Sequence, residues 1–182
     1  MDKNTVICIS RLGDGPNAVI LEIGIAVVGA PYALHVFPDL QTQLDRGAVV
    51  SGERLSHWLS RPGVQVDSGA PGCLETGLTK PVMDRCLTGR LWFEPNGDLE
   101  TLTNLLGCDK WRGSTVKFIG EAARGAHIVV PKIPDAHQRS ATSRAWYLAK
   151  QVGAAIERQS PKADTATTWT CETWDCDFGY YS

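Results

Sequence analysis

VICISRLGDGPNAVILEIG, residues 6–24, reads as a strand, a tight turn and a second strand. The apolar run at 5–10 and the longer β-branched run at 18–28 favour extended chain. Between them Gly13, Asp14, Gly15, Pro16 and Asn17 supply the residue types that reverse a backbone tightly. A third extended run, 32–37, is closed by Pro38, which cannot continue a ladder. Three meandering strands at the start of a chain, with helices after them, predict an α+β or α/β domain.

Downstream, SGERLSHWLS (51–60) predicts a helix capped by Ser51, with Glu53 in its first turn and Arg61-Pro62-Gly63 as the stop. Its Leu55, Trp58 and Leu59 predict a buried face. A Gly-, Pro- and Ser-rich loop is expected over 62–79, and a short helix over 81–87 capped by Thr79. RLWFE (90–94) is strand-like, and Pro95-Asn96-Gly97 turns the chain. Leu99, Leu102, Leu105 and Leu106 then recur at helical spacing over 98–106. A longer amphipathic helix is predicted over 143–158 through Ala145, Leu148, Ala149, Val152 and Ile156. Residues 159–168 read as a linker.

The opening stretch closely resembles the first motif of the DEDD (DnaQ-like) 3'–5' exonuclease superfamily, in particular its small phage and bacterial exoribonucleases. That motif runs roughly I-D-x-E-T-L-G-T-x-P-N-A-V-I-L-E-I-G. Leu12, Gly13 and the run from Pro16 through Asn17, Ala18, Val19, Ile20, Leu21, Glu22 and Ile23 to Gly24 fit it. Cys8 stands where the family has its first Asp, and Ser10 where it has Glu. Trp92 and Asp98 are similar to the Trp and Asp of the second motif. Asp98 equally reads as an acid favoured by a helix N-terminus. Trp58 and Leu59 fit a W-W-L run, and Val116 and Lys117 loosely fit the stretch around the third acid, with Thr115 at the acid's place. His137 matches the family's general-base His, and Ala141 and Thr142 stand at its following Asp-Asp pair.

The resemblance implies an RNase H-like mixed sheet flanked by helices over residues 1–160, followed by a separate tail, 161–182. It also implies phosphodiester hydrolysis by two divalent ions, which activate a water and stabilise the leaving oxygen. Hard ions such as Mg²⁺ need carboxylate oxygens. A thiol is a soft donor and a hydroxyl a neutral one. The expectation is therefore a degenerate, catalytically inactive site at Cys8, Ser10, Asp98, His137 and Ala141, holding no metal and no other cofactor.

The formal net charge of −2 argues against a strongly basic nucleic-acid binder. Arg85, Arg90, Lys110, Arg112 and Lys117 remain candidates for a local basic patch. The six cysteines, Cys8, Cys73, Cys86, Cys108, Cys171 and Cys176, form no CxxC pair. With no apolar leader in MDKNTVICIS, reduced thiols and a cytoplasmic location are expected, the host cytoplasm if the protein is phage-encoded. No apolar run is long enough for a membrane helix, so no membrane association is expected.

The last segment, TATTWTCETWDCDFGYYS, carries Trp169, Trp174, Phe178, Tyr180 and Tyr181 beside Glu172, Asp175 and Asp177, with no base. Disordered tails are poor in aromatics. Two readings stay open: a strap on its own domain, or a partner-docking segment rich in the residues that dominate binding hot spots.

Three functional classes follow. One is an inactive exonuclease-like protein that acts by binding a host or phage protein complex, for instance to inhibit a host defence or nucleic-acid-processing assembly. Small members of the resembled family are common in phages and prophages. A second is an active exonuclease using Mg²⁺ or Mn²⁺ on relocated ligands, with Asp14, Glu22 and Asp98 as candidates. A third is a non-catalytic nucleic-acid binder.

Overall fold

A computed structural model of the chain describes residues 3–60, 87–95, 97–106, 113–125, 132–133 and 140–159. Strands β1 (Asn4–Arg11), β2 (Ile20–Val27) and β3 (Ala33–Val36) form the antiparallel meander. Helices α1 (Leu40–Asp45) and α2 (Gly52–Leu59) follow. Then come β4 (Gly89–Phe93), α3 (Asp98–Leu106), β5 (Ser114–Phe118), α4 (Ile119–Gly125) and α5 (Ala141–Gln159). β4 pairs parallel to β1, and β5 parallel to β4, giving a mixed sheet of order β3-β2-β1-β4-β5. The architecture is a mixed α/β fold, a five-stranded sheet flanked by helices.

β1 lies at the centre, and its side chains alternate between two cores. Ile7 and Ile9 join Ile20, Ile23, Ile25, Leu91, Phe93 and Leu102 on the α3 face. Val6 and Cys8 join Ala26, Trp92, Ala141, Ala145, Leu148 and Val152 on the α5 face. Each large apolar side chain removed from water in this way contributes about 1.5–3 kcal/mol, which anchors the central strand from both faces. In α5 the buried residues Ala141, Ala145, Leu148, Ala149, Val152 and Ala155 fall on one stripe, and four of the six are alanine. Small side chains let the helix approach the sheet closely.

The closest approach is at Gly24, opposite Cys8 in the β1–β2 register. A Cβ built there would lie 2.3 Å from the backbone carbon and oxygen of Ala141. Gly24 is thus the seat for the first turn of α5. The β1–β2 register shifts between Ser10 and Arg11. An irregularity of this kind bends the strand and re-aims the side chain beyond it. Here it lies beside Arg11, which reaches α3.

The loop of the opening hairpin is pinned from several sides. Leu12 N donates to Val19 O, Val49 N to Asn17 O, and Ser51 N to Leu12 O. Asn104 Nδ2 donates to Pro16 O and Asn17 Oδ1, tying α3 to the loop. Gln43 is buried and brackets Ile20, donating to its carbonyl and accepting from its N–H, both at 2.8 Å.

The strand and helix expectations match these elements to within a few residues. Ser51 caps α2, its hydroxyl accepting from Arg54 N. The expected buried face of α2 is a correction: none of its residues is buried, and Leu59 is 63% exposed. Helical spacing shows that apolar residues share a side, not that another layer lies against it. α1, β5 and α4 were not read from the sequence; at five to seven residues each is too short for periodicity to show. The loop at 62–79, the helix at 81–87 except buried Leu87, the linker beyond Gln159 and the tail lie outside the described residues. No helix among the described residues is long and apolar enough to cross a membrane.

Candidate functional site

The end of β1, the residue after β4 and the first turns of α3 and α5 meet at one point of the sheet. Cys8 is fully buried on the α5 face, a free thiol. Ala141, also fully buried, joins the same apolar cluster. Ser10 follows on that face, half-buried and opposite Glu22 in the register. Asp98, only 1% exposed, is the first residue of α3, and its Oδ2 accepts from Ile9 N at 3.2 Å. Four of the five site positions taken from the sequence therefore lie within a few residues of this junction; His137 lies outside the described residues.

Two residues of the junction were not singled out from the sequence. Glu94 follows β4, and Arg144 stands one turn into α5. The Arg144 Nη2 donates to Ile9 O at 2.5 Å, and its Nε lies 3.7 Å from Glu94 Oε2. Both side chains are about one-fifth to one-quarter exposed. The Cys8 thiol faces both of them. Burial, with the Glu94 carboxylate next, pushes that thiol well above its ordinary range, against the pull of Arg144. Cys8 is therefore held as the neutral thiol, the less nucleophilic form. Burial also raises Glu94, Arg144 opposes that rise, and Asp98 adds to it. Nothing in the motif pattern marks Glu94 or Arg144, since each looks like an ordinary surface charge until β4 and α5 are set beside β1.

Arg11 plays a parallel part on the α3 face. Its Nη1 donates to Thr101 Oγ1 at 2.8 Å and to Gly97 O at 3.3 Å, and its Nε is 4.0 Å from Asp98 Oδ1. Asp98 thereby joins β1 to the start of α3, the helix-terminal role that its sequence position allows.

Glu22, two residues before Gly24 on the same face of β2, is buried and caps the N-terminus of α5. Its carboxylate accepts from Ser140 Oγ (2.6 Å), Ala141 N (2.9 Å), and Thr142 N and Oγ1 (both 3.0 Å). His35 Nε2 lies 2.6 Å from the same group. The Ala141 and Thr142 N–H groups are orphan amides of the helix N-terminus, which a carboxylate satisfies well. Burial works to raise the Glu22 pKa, but the hydrogen bonds from Ser140, Thr142 and Ala141, with His35 beside them, prevail and hold it below its ordinary value.

The three acids considered as relocated ligands are thus apart in role. Asp14 is exposed and paired with Arg54. Glu22 holds α5, and Asp98 holds β1 to α3. An open cleft of about 140 Å³ lies elsewhere, between the hairpin loop, α1 and α3, lined by Asn17, Gln43, Arg46, Thr101 and Asn104 among others. It contains none of Cys8, Glu94, Asp98 and Arg144.

A pair of hard divalent ions requires several free carboxylate oxygens. The donors described at the junction are a buried thiol, a hydroxyl, and two acids already engaged by Arg144, Arg11 and the Ile9 amide. This donor set does not fit two Mg²⁺ ions. Comparison of the chain with protein-family models and with curated proteins finds no match.

Proposed function

We propose that this chain is a catalytically inactive protein of the DEDD exonuclease type, RNase H-like in fold, and that it acts by binding rather than by cleavage. The antiparallel meander β1–β3 continuing into parallel β4 and β5, with helices on both faces, supports the fold. The single observation that carries the functional reading is the junction itself. A neutral, buried Cys8 stands where the resembled motif has its first metal-binding acid, and an arginine approaches the acid next to it. A guanidinium repels the divalent ions that the family's chemistry uses. What the frame retains, Gly24 under α5 and Glu22 on its first turn, is what the fold needs.

The partner in this reading is a protein complex of host or phage origin, engaged through the aromatic and acidic segment that holds Trp169, Trp174, Phe178, Tyr180 and Tyr181. Aromatic anchors suit a hot spot, and its acids suit a basic surface. The test is incubation of the full chain with labelled RNA and single-stranded DNA in Mg²⁺ or Mn²⁺, with and without chelator. No cleavage is expected. Chelator-sensitive cleavage abolished by Asp98→Ala would establish the active-enzyme reading instead. Salt-dependent binding of the same oligonucleotides without cleavage would establish the nucleic-acid binder.

A further inference from the structure

We propose that Arg144 is the resident cation of the junction, occupying by charge the role that a divalent ion plays in the resembled family. The inference rests on the assignment of that junction to the family's metal position, and it goes beyond inactivity: the positive charge has been built into the chain. Four observations converge on it. Arg144 comes from α5, whose first turn is fixed by Gly24 and Glu22, so its backbone is held from two directions. Its guanidinium crosses from α5 to β1, donating to Ile9 O. The same group lies within ion-pair distance of Glu94, which follows β4. Ile9, through its N–H, is also the residue that holds Asp98.

One guanidinium thus connects α5, β1 and the residue after β4, and Asp98 of α3 accepts from the N–H of the same Ile9. A metal ion in such a place gathers side chains from separate elements and balances their acids. Arginine can do both, since its planar fork is always charged and offers five donors. Its Nε is buried and makes an ion pair to Glu94 but no hydrogen bond. Its hold on Glu94 is therefore electrostatic, while its Nη2 is fixed by the hydrogen bond to Ile9 O.

The consequence is that this fold needs no divalent ion, and that removing the arginine creates a demand for one. Glu94 and Asp98 would then be left as neighbouring acids with Arg11 alone to offset them, and removing one partner of a partly buried charge pair is destabilising. The experiment is thermal melting of the full chain, Arg144→Gln, Glu94→Gln and the double variant, each with EDTA and with Mn²⁺ alone. The wild-type melting temperature should be the same in both conditions. Arg144→Gln should melt several degrees lower in EDTA and regain part of that loss in Mn²⁺. Glu94→Gln in the same background should restore most of it and abolish the Mn²⁺ response.

A wild-type protein stabilised by Mn²⁺, an Arg144→Gln variant indifferent to it, or additive effects of the two substitutions would each overturn the proposal. If Arg144→Gln does not fold, the double variant must; failure of both would also overturn it. The parent reading fails separately. Cleavage of RNA or single-stranded DNA by the wild type would refute inactivity while leaving the coupling between Arg144 and Glu94 to stand or fall on the melts.

Discussion

Substituting Gly24 by alanine should dislodge the first turn of α5. The added Cβ would sit 2.3 Å from the Ala141 carbon and oxygen and 2.4 Å from Thr142 N, all backbone atoms. Ordinary contact begins about 1 Å farther out, so α5 or β2 must shift as a body, because no flexible side chain can yield. A shift of that size also stretches the bonds from Ala141 N and Thr142 N to Glu22, 2.9 and 3.0 Å long, whose donors lie at the clash itself. Overpacking a close-fitting site costs about 1–3 kcal/mol, occasionally more. With rigid backbone on both sides the upper end applies, about 3 kcal/mol. For a domain of this size that is a fall in Tm of about 6–12 °C.

The assay is a thermal melt by circular dichroism, with Gly15→Ala as the matched control. A Cβ at Gly15 meets nothing within 4 Å, so that substitution should leave the melting temperature unchanged or slightly raised. Equal melting temperatures for the two variants would refute the claim that α5 is seated on Gly24.

Other outcomes follow from the same contacts. The Glu22 pKa is depressed in the folded state, so its stabilisation is complete above the unfolded value and is lost as pH falls through the folded one. Glu22→Gln should flatten that acid limb of a pH–stability curve. Glu94 has the opposite sign: raised in the fold by burial, it binds its proton more tightly when native. Stability should therefore decline as pH rises from the ordinary glutamate value to the raised one, and Glu94→Gln should remove that decline. Gln43→Leu leaves the buried N–H and carbonyl of Ile20 without their side-chain partner. At about 1–3 kcal/mol per unsatisfied group, chemical denaturation should show a loss of at least 1 kcal/mol; a neutral result would mean that water reaches the site.

Strands β1 to β4 were legible because their signals are local. Apolar runs at 5–10 and 18–28, broken by the Gly13–Asn17 residues, lead directly to β1, β2 and the loop between them. α3 and α5 were legible because apolar residues recur along one stripe over two or more turns. α2 was legible as a helix but not as an exposed one, since Leu55, Trp58 and Leu59 share a side whether or not anything packs there.

At the candidate site the sequence by itself determined the donor types: positions 8 and 10 carry a thiol and a hydroxyl rather than carboxylates, and donor chemistry depends on residue type alone. Only the tertiary structure decided what those groups meet. Arg144 is 136 positions from Cys8 along the chain, and no periodicity or spacing relates them. The sequence offered Glu22 and Asp98 as candidate ligands; the fold sets Glu22 on the open amides of α5 and Asp98 against the Ile9 amide and Arg11. The physical reason is that charge pairing and burial act through space at a few ångströms. The sequence records which groups exist, and the packing of α5 and α3 against β1 selects which of them meet.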